Sequence, residues 1–140
     1  MKNIKSIFLI LAVILAGSPV LFGQKIHDGP YNYLVITQKI EQLKPVSMTS
    51  AALAEEDGKD FGEFKVVLYG PEVTQLTDKK KMRSILKTAR KSNLKLAVCA
   101  MALDKMGVDH KKIPKAFEIV DNAFLHFNQL QKAGYISLSI

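Results

Sequence analysis

Apolar and polar positions change period several times along the chain. Residues 33–37 (Tyr-Leu-Val-Ile-Thr) follow the turn-prone Asp28, Gly29 and Pro30 and predict a first strand. Residues 38–44 are polar with Ile40 and Leu43 interleaved, which fits either a loop or a short helical turn. Pro45 suits the first turn of a helix running to about residue 56, with Val46, Thr49, Ala52 and Leu53 inward and Asp57-Gly58 as its end. A second strand follows at residues 64–69 and stops at Gly70-Pro71, while residues 72–76 match no single pattern. Thr77-Asp78 caps a helix to about residue 91, whose Met82, Ile85, Leu86 and Ala89 recur at the spacing of a face packed on a sheet. Ser92-Asn93 closes it.

Residues 94–98 are apolar apart from Lys95 and predict a strand buried on both faces. The period then changes: Ala100, Leu103 and Met106 recur at helical spacing, Asp104 and Lys105 lie opposite, and Gly107 is a stop. After a polar connection containing Pro114, residues 117–120 predict a fourth strand. Asp121-Asn122 caps a helix over residues 123–132, with Phe124, Phe127, Leu130 and Gln131 inward, and Gly134 ends it. Residues 135–140 alternate, with Ile136, Leu138 and Ile140 on one side, as an edge strand with one open face does. Strand and helix alternate throughout, which predicts a three-layer α/β/α sandwich on a largely parallel five-stranded sheet with right-handed crossovers.

The N-terminus follows a different logic. Lys2 and Lys5 precede ten apolar residues, 7–16, and Gly17, Ser18 and Pro19 end the run. This order is that of a secretory signal peptide, and the core is short of the ~20 residues of a membrane span. We therefore expect a leader over residues 1–23, with one cleavage candidate flanked by Ala16 and Ser18 and another flanked by Leu21 and Gly23 before Gln24, and one domain over residues 24–140, periplasmic or secreted. An uncleaved anchor is the second reading, since Val20 to Phe22 extend the apolar stretch. No cysteine lies nearby to carry a bacterial lipid anchor. The processed chain should not stay inserted in a membrane.

Charge adds little about partners. There are 20 basic and 13 acidic residues and a pI near 9.5; losing Lys2 and Lys5 leaves 18 basic residues and a formal charge of +5 in place of +7. Export argues against nucleic acid. The basic residues of the second helix, Lys79, Lys80, Lys81, Arg83, Lys87, Arg90 and Lys91, read as a solvated face or as the docking surface of an acidic partner.

Several chemistries lack their motifs. No Gly-x-Gly-x-x-Gly follows the first strand, and there is no phosphate-binding Gly-Lys-Ser/Thr loop, no His-Glu-x-x-His and no Gly-x-Ser-x-Gly elbow. His27, His110 and His126 show no paired-ligand spacing, so neither a metal nor a cofactor is expected. His126 falls on a predicted helix and could face either the sheet or solvent.

Cys99, the single cysteine, stands where a strand hands over to a helix. In a parallel sheet that is the carboxyl edge, where open α/β sheets place ligands. A thiol at a helix N-terminus also feels unsatisfied N–H groups that favour the thiolate. One cysteine forms no internal disulfide, and an odd thiol in an oxidising compartment suggests a reactive group or an intermolecular bond. The competing reading is a small buried hydrophobe.

The run Leu96-Ala97-Val98-Cys99-Ala100-Met101-Ala102-Leu103, then Lys105-Met106-Gly107-Val108 and the strand Phe117-Glu118-Ile119-Val120, resembles the DsrE/DsrF-like proteins. The opening Tyr33-Leu34-Val35-Ile36-Thr37 and closing Leu130-Gln131-x-x-Gly134-Tyr135 fit the same pattern. The resemblance covers essentially the whole mature chain. It implies a small α/β subunit that assembles into trimers or hexamers, with Cys99 accepting and passing on sulfur as a persulfide between donor and acceptor proteins, without a cofactor. An exported leader is a departure, since sulfur-relay members work in the cytoplasm. Two other functions stay open: a non-catalytic oligomeric binding module with Cys99 in its core, and a thiol redox sensor.

Overall fold

The computed structural model describes residues 29–140. The leader expected over residues 1–23, and His27, lie outside them. The strands are β1 (Tyr31–Thr37), β2 (Phe61–Leu68), β3 (Leu94–Cys99), β4 (Phe117–Val120) and β5 (Ile136–Ser139), and the helices are α1 (Leu43–Asp57), α2 (Lys79–Lys91), α3 (Ala100–Lys105) and α4 (Ala123–Lys132). All four strand pairings are parallel, in the order β4-β3-β2-β1-β5. The expected five-stranded α/β sandwich is therefore the fold.

Strands β1 to β4 step outward one place at a time, and their connections, α1, α2 and α3, pack on one face. The chain then reverses direction to put β5 beside β1. A crossover of constant hand must switch faces when its direction reverses, so α4 lies on the opposite face, over β1 and β2. The first face carries the larger core, with Val66, Leu68, Val98 and Leu103 among its fully buried members. The second carries a smaller one around Leu34, Ile36, Val67 and Ala97.

That second face is only half covered. Lys65, Lys95 and Glu118 occupy its β2–β4 side, where Lys65 Nζ pairs with Glu118 Oε2 at 3.3 Å. The β3 strand is thus not buried on both faces along its length: Lys95 stands on the uncovered side, exposed, while Ala97 and Cys99 lie in the second-face core.

Caps follow the sequence closely. Asp78 accepts from Lys80 N–H and Lys81 N–H, and Asn122 accepts from Phe124 N–H and Leu125 N–H. Asn93 takes the left-handed conformation after α2, with φ of 54°.

The inner face of α1 differs from expectation. Leu43, Val46, Ser47 and Ser50 are buried, while Thr49 and Ala52 are exposed. The helix starts two residues before Pro45 and turns its two serines inward because their hydroxyls find partners. Ser47 Oγ donates to Leu43 O at 2.6 Å, and Ser50 Oγ reaches Ser92 O beyond the end of α2 at 3.1 Å. Residues 38–44 divide into a 3₁₀ turn at Ile40–Gln42 and the start of α1, and the ambiguous stretch becomes a 3₁₀ segment, Pro71–Thr77, that buries Val73 and Leu76.

Candidate functional site

Cys99 is the last residue of β3 and is paired in register with Val120, the last residue of β4. From these neighbouring ends the chain departs to opposite faces, α3 to one and α4 to the other. This divergence is the topological switch point at which open parallel sheets form a crevice.

In this protein the crevice is stitched shut. Met101 N–H, in the first turn of α3, donates to Asp121 O in the β4–α4 connection at 3.3 Å. Beneath that bond, Ala123 N–H donates to Cys99 Sγ at 3.4 Å, and the thiol S–H points to Asp121 O at 3.9 Å. Cys99 is 6% exposed and packs with Ala97, Val120 and Ala123. A neutral thiol satisfies both hydrogen bonds. An anionic sulfur would keep the Ala123 donor, which strengthens with charge, and would face the Asp121 carbonyl unfavourably. Reaction at sulfur therefore requires the Asp121 connection to yield.

The rim is apolar. Met101, Phe124 and Leu125, in the first turns of α3 and α4, are all largely exposed. Phe124, expected to face inward, instead lies edge-on to the Tyr69 ring at 4.9 Å and 66°. The inner side of α4 is formed by Ala123, Phe127 and Leu130, and Gln131 is exposed, its Nε2 donating to Ser137 Oγ. Residues 38–44 emerge at the same carboxyl edge as Cys99, but Gln38 Nε2 meets Tyr69 OH at 3.1 Å. Gly70 shapes this edge as well: its φ of 78° and ψ of −167° suit glycine, and a Cβ there would meet Gln38 Oε1 at 2.8 Å.

The remaining candidates lie apart from the sulfur. Asp104 and Lys105 are on the exposed side of α3, and His110 Nε2 pairs with Asp104 Oδ1 at 2.8 Å. His126 is half-buried on α4, and its Nε2 has no hydrogen-bond partner among the described residues. Burial, and next the Lys65 ammonium, lower its pKa below the usual imidazole value, with Glu118 opposing. Tyr135, whose hydroxyl donates to Glu63 Oε1 at 2.5 Å, is pushed up to about 12, first by burial and then by that bond. A cavity of about 590 Å³ beside Arg90, Lys95 and Lys115, and a groove of about 380 Å³ between α1 and β5, are not lined by Cys99. Among the described residues, no group of three or more His, Cys, Asp or Glu could hold a metal ion, and no helix is long and apolar enough to cross a membrane.

The backbone roles of Asp121 and Ala123 escape sequence reasoning, because any residue supplies a carbonyl or an N–H. Only the capping pair Asp121-Asn122 signalled that a helix starts there.

A family model for the DsrE/DsrF-like family matches residues 33–139, which is most of the chain. The chain belongs to the DsrE/DsrF-like family. Among solved structures it is similar to the protein of unknown function MTH1491 from Methanobacterium thermoautotrophicum, with a TM-score of 0.60 and 13% identity over 79% of this chain and 99% of that one. At that identity the likeness concerns the fold. No curated protein matches the chain. Cys99 is the single cysteine of the chain and lies within the matched residues.

Proposed function

We propose that this DsrE/DsrF-like protein is an exported sulfur carrier, periplasmic or secreted, that holds sulfur as a persulfide on Cys99. The Cys99 thiolate attacks the outer sulfur of a donor persulfide, R–S–SH. The donor S–S bond breaks, R–S⁻ leaves, and Cys99–S–SH forms. An acceptor thiolate then attacks that outer sulfur, takes it as its own persulfide, and releases the Cys99 thiolate. The two exchanges are redox-neutral overall and use no cofactor.

The observation that carries this reading is the position of Cys99 at the switch point, with the Ala123 N–H aimed at its sulfur. The exposed rim of Met101, Phe124 and Leu125 supports docking of donor and acceptor proteins. Family membership supports a subunit that self-associates, as a trimer or hexamer by resemblance.

Intact mass after incubation with polysulfide tests the chemistry. The wild-type protein should gain one sulfur mass, lost on reduction, and Cys99→Ser should gain none. Equal gain by both proteins, or none by either, overturns the reading. The burial of Cys99 favours one competitor, a core thiol of a non-catalytic binding module. In that case Cys99 resists alkylation until the protein unfolds, and Cys99→Ser leaves partner binding intact. A redox sensor would instead give a peroxide-induced disulfide dimer without sulfur uptake.

A further inference from the structure

The edges of the sheet are unlike. The β4 edge carries the charged Glu118 and follows Lys115. The outer edge of β5 has no strand partner among the described residues, and residues 133–140 carry no charged side chain and no proline. Soluble proteins usually blunt a free edge with a charge, a proline or a bulge.

Backbone direction sharpens the point. Ile140 N–H donates to Ile36 O at 3.1 Å, so Ile136, Leu138 and Ile140 turn their backbone groups toward β1. Those of Ser137 and Ser139 turn outward. On the α1 side, the side chains of Ile136, Leu138 and Ile140 stand 52%, 59% and 44% exposed beside the apolar groove of about 380 Å³.

The strand reads the same in both directions: Ile136-Ser137-Leu138-Ser139-Ile140. We infer that β5 pairs antiparallel with β5 of a second copy about a two-fold axis at Leu138, joining the two sheets into one. Ser137 of each copy then exchanges both backbone hydrogen bonds with the opposed Ser139. Leu138 meets its own counterpart at the closer, non-hydrogen-bonded spacing, and Ile136 meets Ile140. Every apolar side chain lands opposite an apolar one, a match that a foreign strand would meet only by carrying the same pattern.

The area needed identifies a second element. Three half-exposed aliphatic side chains offer on the order of 100 Å² each, and a specific dimer buries about 800 Å² per partner. The remainder falls to the α1 wall of the groove, where Pro45, Thr49 and Leu53 continue the surface and the exposed Met48 lies on the adjoining flank. A two-fold contact of this kind fits the hexamer and not the closed trimer of the self-association proposed above, and it does not depend on Cys99 chemistry.

Sedimentation of the purified protein, with cross-linking, tests it. Leu138→Lys sets two ammonium groups face to face and should weaken association by at least about tenfold. In a Cys99→Ser background, Leu138→Cys should form a disulfide dimer on mild oxidation, because opposed residues at this spacing lie about 4.5 Å apart between Cα atoms. Ile136→Cys, displaced from its own counterpart by the register, should not. A monomeric wild-type protein overturns both the contact and self-association. An oligomer indifferent to Leu138→Lys, or dimers from Ile136→Cys but not Leu138→Cys, overturns the β5 contact alone and leaves association through another surface standing. Monomers that bind an apolar small molecule in the groove also overturn it.

Discussion

Substituting Asn122 by alanine probes the latch over Cys99. The Asn122 Oδ1 accepts two N–H groups at the start of α4, from Phe124 at 2.9 Å and Leu125 at 3.1 Å. Losing such a cap costs about 1 kcal/mol. The helix has ten residues, too few to hold itself without packing, so the loss falls on its first turn. That turn carries Ala123, whose N–H reaches Cys99 Sγ, and adjoins Asp121, whose carbonyl bridges to Met101. If sulfur becomes accessible by local opening of this turn, about 1 kcal/mol raises the open population about fivefold. Alkylation of Cys99 by iodoacetamide under native conditions should then run about five times faster in Asn122→Ala than in wild type. Asn122→Asp, an equally good cap, should stay near the wild-type rate. Urea denaturation supplies the stability loss independently. Equal alkylation rates despite a loss of about 1 kcal/mol would show that reagent reaches the sulfur by another route, and the latch would be wrong.

Two further expectations concern the surroundings. Gly70→Ala forces an L side chain into a backbone region open to glycine and should cost about 2 kcal/mol in urea denaturation; adding Gln38→Ala removes the side-chain collision but not the strain, so full recovery in the double variant would contradict the assignment. His126 has a folded pKa below its unfolded value, so below about pH 6.5 the unfolded chain binds more protons at this site than the folded one. Its contribution is fully present above that pH and is lost as pH falls toward the folded pKa. Between about pH 7.5 and 5, the melting temperature of the wild type should therefore fall more than that of His126→Gln, and parallel profiles would count against a neutral, half-buried imidazole.

Local signals in the chain determined which elements form and in what order. Asp78 and Asn122 capped the helices where the pattern placed them, the alternation of residues 135–140 marked an edge strand, and the change of period at residue 99 put the cysteine at a strand-to-helix junction. These are contacts between residues a few positions apart, so periodicity and turn chemistry record them. Which strand lies beside which is set by distant partners. That β5 returns to β1, and that α4 consequently crosses the opposite face, was decided by tertiary packing. So was the rotation of α1, where Ser50 could turn inward only because Ser92 O waited 42 residues later. The burial of Cys99 belongs with these. Its residue type and junction were legible in the sequence, but the Asp121 carbonyl and Ala123 N–H that enclose it are backbone groups from another loop, carrying no side-chain signature to be read.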